Sequence, residues 1–454
     1  MCGWLAQAGP KSKTFDKALE SLNHRGIRKK VISHSYGTVG HVRLPIVGLS
    51  TANDQPVQKG NWTIAFVGEI LDFRDKDPKA ECDLPIVVDR WMTGLTDHDG
   101  FWSIVALKNN GTLHVVCDYL AQKPTYYRAD VRAAASELNA LTILAPTQPD
   151  EVYLAAVIKW GYCPEVERTP YRQIKHVLPG EHVRITPFGS VHREIIDPLH
   201  PVKGDLKAEI EAAVRRRVLA ADVPVACLLS GGLDSSIVYT LARRHGTVIP
   251  YYADLGDGDA MEHFRVSAVA GKQKVNEVHG SVDVDDDTCL SYLQEPIDLG
   301  SLRPQIALAR AIGDKQTVCL TGDGADEGFG GYGRAMRYDS QGSDLFHELP
   351  AWHLVRLDRV MMRHRIEVRS PFLARQVVQI ALGLPYEERR NKKILRDLFR
   401  DDLPPEIADQ PKKPLRIEED REERSQNLVR LFRQKDATWH SLLQSGSPVA
   451  LVVS

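Results

Sequence analysis

A chain of 454 residues is longer than one hydrophobic core ordinarily serves, so two domains are expected. With 58 Lys and Arg against 60 Asp and Glu, 43% hydrophobic and 26% charged residues, it has the balance of a soluble globular protein and no excess of basic charge for a nucleic acid or membrane surface. No apolar run approaches the roughly 20 residues that span a bilayer. No signal peptide is read, and seven cysteines without paired spacing suit reduced thiols, so a cytoplasmic location is expected. No CxxC or His-cluster pattern marks a zinc site.

In chain order, Cys2 follows the initiator methionine, whose removal would leave a thiol and an α-amine on one residue: a nucleophile carrying its own base. FDKALESL (15–22) is a helical patch, and TIAFVGEILDF (63–73) a strand candidate interrupted by a glycine. SIVALK-NNG-TLHVVCD (103–118) and EHVRITPFGSVHREI (181–195) each place two alternating runs around a turn, the pattern of a β-hairpin. This half, residues 2–197, reads as an α+β, β-rich layered domain. DPLHPVKGD (197–205) suits a linker, and the basic runs at 215–217 and 389–393 are read as solvated helix faces.

A second domain, 205–454, then begins with a change of period. LKAEIEAAVRRRVLA (206–220) lines up Leu206, Ile210, Ala213, Val214 and Val218 on one helical face. VPVACLL (223–229), TVIPYYAD (247–254) and QTVCLTG (316–322) are buried-strand candidates, and SSIVYTLARRHG (235–246) is a helix closed by glycine. Strands alternating with helices predict an α/β domain with a doubly wound parallel sheet. The chain past 335 reads as helical, charged and irregular.

The sharpest local pattern is LLSGGLDSS (228–236), between a predicted strand and a predicted helix. Gly231 and Gly232 allow a tight turn that exposes backbone N–H groups, and the helix N-terminus adds unpaired donors and a positive dipole end. Ser230, Ser235 and Ser236 add hydroxyls, and Asp234 is placed to hold Mg²⁺ against phosphates. LTGDGADEGFGGYGR (320–334) is a second glycine-acid cluster behind a strand candidate, and Asp326 is expected to join Asp234 at the metal.

SGGLDSS resembles the PP-loop of ATP pyrophosphatases. With TGDGADEGFGGY downstream, the chain resembles the glutamine-dependent asparagine synthetase family. Cys2–Gly3, NHRG (23–26), GHVRLPIVG (40–48), GEI (68–70), DYLAQKPTYY (118–127), LPGE (178–181), EVRSPFL (367–373) and KKILRDLFRDDLPPEIADQPKK (392–413) are similar to its motifs in the same order. The resemblance implies an N-terminal-nucleophile (Ntn) glutaminase β-sandwich followed by a PP-loop synthetase domain, with ATP and Mg²⁺ as cofactors, glutamine and aspartate or another small carboxylic acid as substrates, and a homodimer. It implies that Cys2 attacks glutamine, that Arg43 and Asp83 hold it (Glu81 is an alternative to Asp83), and that Gly68 stabilises the oxyanion. For the second site it implies that Leu229, Ser230, Gly231, Gly232, Asp234, Ser235 and Gly322 contact ATP, and that Asp234 and Asp326 hold the metal. Asp323 then assists proton transfer, and Lys412, or its neighbour Lys413, stabilises an acyl-adenylate. Ammonia released at the first site would travel internally to the second.

Three departures qualify the acceptor and the glutaminase. Val67 stands where the family has an asparagine that donates to the oxyanion, and loss of one such donor typically lowers rates by about 10²–10³. Asp323 stands for the family's glutamate, and Ala374 for an aspartate after PFL. Besides asparagine formation, two readings remain open: the same chemistry on another acid, with EPIDLGSLRPQIALARA (295–311) near the acceptor, or a glutamine-sensing protein.

Overall fold

The strand Gly3–Ala8 is buried along its whole length and packs differently on its two faces. Trp4, Ala6 and Ala8 enter one apolar cluster and Leu5 another, as the two-residue period of a strand requires. A strand buried on both sides has no polar alternation to betray it, so GWLAQA was not recognisable as one from its sequence pattern. The computed structural model describes residues 2–93, 95–254, 260–279, 284–313, 315–331, 343–408 and 421–445.

Two six-stranded antiparallel sheets fill the first half. One runs in the order 175–176, 126–128, 133–135, 3–8, 37–43, 28–34, and the other 191–195, 181–185, 113–117, 100–108, 62–70, 57–59. They layer on each other, and the Trp4 indole donates to the Ser103 carbonyl at 3.2 Å between them. Helices cover the far face of the first sheet through Leu5, Phe15, Leu19, Leu141 and Leu154. The helix Glu151–Trp160 shows how the sequence fixes such ends: Asp150 accepts from the N–H groups of Val152 and Tyr153, and Gly161 closes it at φ 83°. Both expected hairpins form, while the strand expected over 63–73 ends at Ile70.

The second half is built on a five-stranded, all-parallel sheet ordered 276–279, 248–254, 225–228, 318–320, 367–369, with helices between the strands. The chain starts at the centre, moves out to one edge, then returns to the other side of its first strand. The reversal lies between Val225–Leu228 and Val318–Leu320, and a ligand crevice belongs at the carboxyl ends of such a pair. The helix Leu206–Leu219 buries the five residues expected of it and is capped by the Asp205 carboxylate on the Ala208 N–H at 3.1 Å. The nominally irregular stretch past 335 also supplies a strand, Glu367–Arg369, wholly buried on the sheet edge.

The two halves share one apolar cluster, running from Trp4 and Trp102 to Ile237 and Val318. Ion pairs rim it. Arg215 and Arg216 reach Asp75 at 2.8 and 2.9 Å, and Arg217, fully buried, grips Asp99 with two bonds of 2.9 and 3.1 Å. The run at 215–217 is thus an interface between the halves, against the solvated face read from its charge: the acids that neutralise it are over 100 residues away. Arg375 pairs with Asp197 at 2.6 Å across the same boundary.

Arg25 is the deepest of these links. Its Nε donates to the Cys2 carbonyl at 2.8 Å, and its Nη atoms to Asp358 at 2.7 and 3.1 Å and to Glu137 at 2.7 Å. Burial by itself raises the Asp358 pKa, but Arg25 and Lys123 outweigh it and hold the carboxyl below its ordinary range. Removing one partner of a buried pair strands the other charge, at about 3–5 kcal/mol. Asp358→Ala should therefore lower the chemical-denaturation midpoint at pH 7 by that equivalent. The difference should shrink as pH falls below about 4, where an unfolded Asp binds its proton.

Candidate functional site

Two sites stand on the two halves. The first is an open pocket of about 350 Å³ lined by Cys2, Arg43, Gly68, Glu69 and Asp83, among others, so four of the residues expected at the thiol site do come together. Burial pushes the Cys2 thiol up to about 11, against the pull of the chain's amino terminus, so it is a protonated thiol at neutral pH until a base removes its proton. Gly68 sits at φ 125°, where a Cβ would lie 1.9 Å from the Phe101 carbonyl oxygen, and only glycine fits.

Arg43 is less free than its position suggests. Its Nη1 donates to the Ser50 carbonyl at 2.8 Å and to Asp54 at 2.9 Å, and its Nη2 to the carbonyls of Val47 and Gly48 at 3.0 and 2.6 Å. The guanidinium therefore shapes the 47–54 loop that forms one pocket wall. Asp83, rather than the exposed Glu81, faces the pocket and accepts from the Ile70 N–H at 2.8 Å. Val67 is wholly buried in the apolar cluster, with no polar side-chain atom to offer.

The acids of this pocket are crowded. Burial lifts Asp83 to about 6, and Glu69 is held well above the ordinary carboxylate range by burial and then by repulsion from Glu367 and Asp83. Glu367, fully buried, belongs to the edge strand of the parallel sheet, where Arg369 pairs with it at 2.7 Å. The interior between the two halves is therefore polar at this point, with carboxyls from both.

The second site lies at the reversal of the parallel sheet. The helix Leu233–Ala242 starts directly after Gly232, two residues earlier than the pattern suggested, and Gly231 takes φ 69°. Ser230 and Ser235 hydroxyls lie 3.1 Å apart, and the Ser235 hydroxyl accepts from the Ser230 N–H at 3.2 Å, which holds the turn. Gly322, from the neighbouring strand's loop, comes so close that a Cβ would sit 2.8 Å from that of Asp234. The two glycine-acid loops are thus side by side.

Their carboxylates share one cation. Lys392 Nζ pairs with both Asp234 and Asp326, the latter at 2.6 Å. Burial works to lower its pKa, yet the two carboxylates outweigh this and raise it. Lys392 was part of the run at 389–393 assigned to solvated surface; Arg389 and Lys392 are instead buried. Both Asn391 and Lys392 are in the left-handed region, at φ 53° and 59°, and their N–H groups bond to the carbonyls of Gly330 and Phe329 at 3.1 and 2.8 Å. Residues there cost about 1–3 kcal/mol of strain each, and these backbone hydrogen bonds with the two ion pairs hold the ammonium at the acids against it. Two paired Lys in a charged run carry no pattern that foretells this, though Lys392 opens the KKILR stretch (392–396) that resembles a family motif.

Asp323 sits beside this site, paired with Arg356 at 2.9 Å, and Arg356 also donates to Ser301. Of the 295–311 stretch, Glu295 is turned away and accepts from Tyr126 and Tyr153 at 3.1 and 2.9 Å in the other half. Lys412 and Lys413 lie outside the described residues. For Mg²⁺ the residues present fit: two hard carboxylate oxygens converge on a point now served by an ammonium, with glycines at 322 and 331 leaving room. None of the seven cysteines is in a disulfide, and no helix among the described residues is long and apolar enough to cross a membrane.

A glutamine amidotransferase domain profile matches residues 1–193, and an asparagine synthase profile matches 205–356 and 343–445. A probable glutamine-hydrolysing asparagine synthetase of Acanthamoeba polyphaga mimivirus is 28% identical over 87% of this chain and 80% of that protein. A glutamine-hydrolysing asparagine synthetase of Bacillus subtilis, numbered 3, is 23% identical over 98% and 92%. The rat glutamine-hydrolysing asparagine synthetase is 26% identical over 54% of this chain and 53% of its own length.

The raised Asp83 carries a signed prediction. Its charged form is disfavoured in the folded state, so that cost is fully present above pH about 6 and absent below the unfolded value of about 4. Asp83→Asn keeps an acceptor for Ile70 and removes the charge. Thermal denaturation should find it more stable than the parent at pH 8, with the gain fading between pH 6 and 4.

Proposed function

The chain belongs to the asparagine synthase family, and from that premise we propose that it is a glutamine-dependent, ATP-consuming amide synthetase whose acceptor is aspartate. The observation that carries the reading is the meeting of Asp234 and Asp326 on Lys392 where the two glycine loops adjoin. Loop N–H groups and a helix N-terminus, together with a buried ammonium, make a phosphate cradle.

At the first site, Cys2 Sγ attacks the glutamine carboxamide carbon, ammonia leaves, and water releases glutamate from the thioester. Asp83 faces the substrate's amine and Arg43, through the wall it braces, the carboxylate; the Gly68 N–H serves the oxyanion. With Val67 beside it, that support is reduced and hydrolysis is slow. Ammonia passes inward beside Glu69 and Glu367 to the second site.

There, Leu229, Ser230, Gly231, Gly232, Ser235 and Gly322 hold ATP. Asp234 and Asp326 are the residues that would hold Mg²⁺, which when bound offsets the charge of the phosphates. The acceptor's carboxylate attacks the α-phosphorus and pyrophosphate departs toward Lys392. Ammonia then attacks the acyl carbon and AMP leaves, with Asp323 taking a proton and the role of stabilising the adenylate's charge assigned to Lys412. A second reading, another small acid as acceptor, is favoured by the Arg356–Asp323 pair, which leaves a shorter and partly neutralised acid where the family has glutamate.

Product mass spectrometry with ATP, Mg²⁺, a panel of acids, and glutamine or ammonia tests both. Asparagine and AMP should appear with aspartate, and Cys2→Ala should abolish glutamine use but spare ammonia use. Amide from another acid alone would replace aspartate, and no AMP under any condition would refute the synthetase. Lys392→Met should lower ATP–pyrophosphate exchange by about 10²–10³, the usual effect of losing one such charge-stabilising group, while glutamate release at Cys2 persists.

A further inference from the structure

Beyond the phosphate loops, the carboxyl ends of one edge strand of the parallel sheet and its neighbour carry a second group of chemistry-bearing residues. Asp254 closes the strand Val248–Asp254, and Glu277 and His279 lie on the edge strand Asn276–His279. One donor atom from each of Asp254, Glu277 and His279 lies within 4.8 Å of the others. The helix Ala260–Ala270 adds His263, whose Nε2 lies 3.6 Å from Glu277 and 3.9 Å from Asp254, and His279 Nδ1 lies 3.4 Å from Asp254.

We propose that His263, His279, Asp254 and Glu277 form a binding site for a divalent transition metal of the zinc class, separate from the Asp234–Asp326 pair. Donors about 2.0–2.2 Å from a tetrahedral ion are roughly 3.3–3.6 Å apart, and these nitrogen–oxygen separations are already at or just beyond that edge length. Two imidazoles with two carboxylates suit Zn²⁺ or Co²⁺, whereas Mg²⁺ prefers oxygen alone. His263 is also positioned from behind: the Tyr252 ring meets it edge-on at 5.1 Å between centroids.

The placement gives the site a reach into the nucleotide loop. His263 sits in the helical turn that touches Gly231, where a Cβ would lie 3.0 Å from that of Arg265 and 3.3 Å from the Val266 nitrogen. A metal bridging this turn to two strand ends fixes the wall against which the phosphate loop rests.

Co²⁺ titration of the full chain, with Mg²⁺ in excess to occupy the acidic pair, tests the proposal. The parent should bind one equivalent at micromolar Co²⁺, with visible d–d bands and no thiolate charge-transfer band. His263→Ala/His279→Ala, both at exposed side chains, should weaken binding at least tenfold, and Glu277→Gln provides a second variant should the first misfold. No saturable binding, binding unchanged in the variants, or a thiolate band pointing to a cysteine would each overturn it.

Discussion

The guanidinium of Arg25 joins what the rest of the molecule keeps apart. It holds the carbonyl of Cys2 on one side and a buried carboxylate of the other half on the other, both within bonding distance. Asp358 stands on the helix His353–Met362, which also carries Arg356 toward Asp323 and Arg359 toward Glu295 and Tyr126. Three cations or anions of one short helix thus face three different parts of the interior. A shift of that helix cannot leave the Cys2 strand, the Asp323 loop and the boundary between the halves all undisturbed. Such a network is a weak source of net stability, because desolvation takes back much of what pairing provides; its effect is to exclude other arrangements.

How much of this was legible follows the range of the forces involved. The hairpins at 100–117 and 181–195 and the helix Leu206–Leu219 are set by neighbours in sequence, and their periods announce them. The glycines of 231–232 and 322–324 are legible for a related reason: each answers a backbone demand at its own position. Gly3–Ala8 and Glu367–Arg369 are set by layers on both sides, and a segment buried all round has no period to read. Helix ends were displaced by a few residues for the same cause, since Gly232 rather than a sequence cap starts the helix at Leu233.

Charge was where local reading failed most. Arg217 and Lys392 lie in runs that look like solvated surface, yet each is neutralised by acids far away in sequence. A lone cation among cations looks alike whether it faces water or a buried carboxylate. Arg43 shows the converse, a predicted ligand contact that is largely occupied by its own loop. The histidine–carboxylate group at Asp254, Glu277 and His279 has no metal-ligand spacing either; it exists because two parallel strands end at the same height.

The two carboxylates on Lys392 show how two acids can stand together where the glycine loops adjoin. Asp234 and Asp326 side by side repel, and a half-buried pair of like charges would otherwise raise a pKa or push the loops apart. Lys392 removes that penalty, but its own backbone must be bent into the left-handed region to reach them. On the proposed reading, Asp234 and Asp326 would hold the divalent cation that accompanies ATP, which would offset phosphate charge. Lys392, beside those acids, would then be free to pair with a phosphate oxygen. The backbone hydrogen bonds that fix residues 391–392 in the left-handed region keep this one cation beside the acids, where a relaxed surface lysine would not stay.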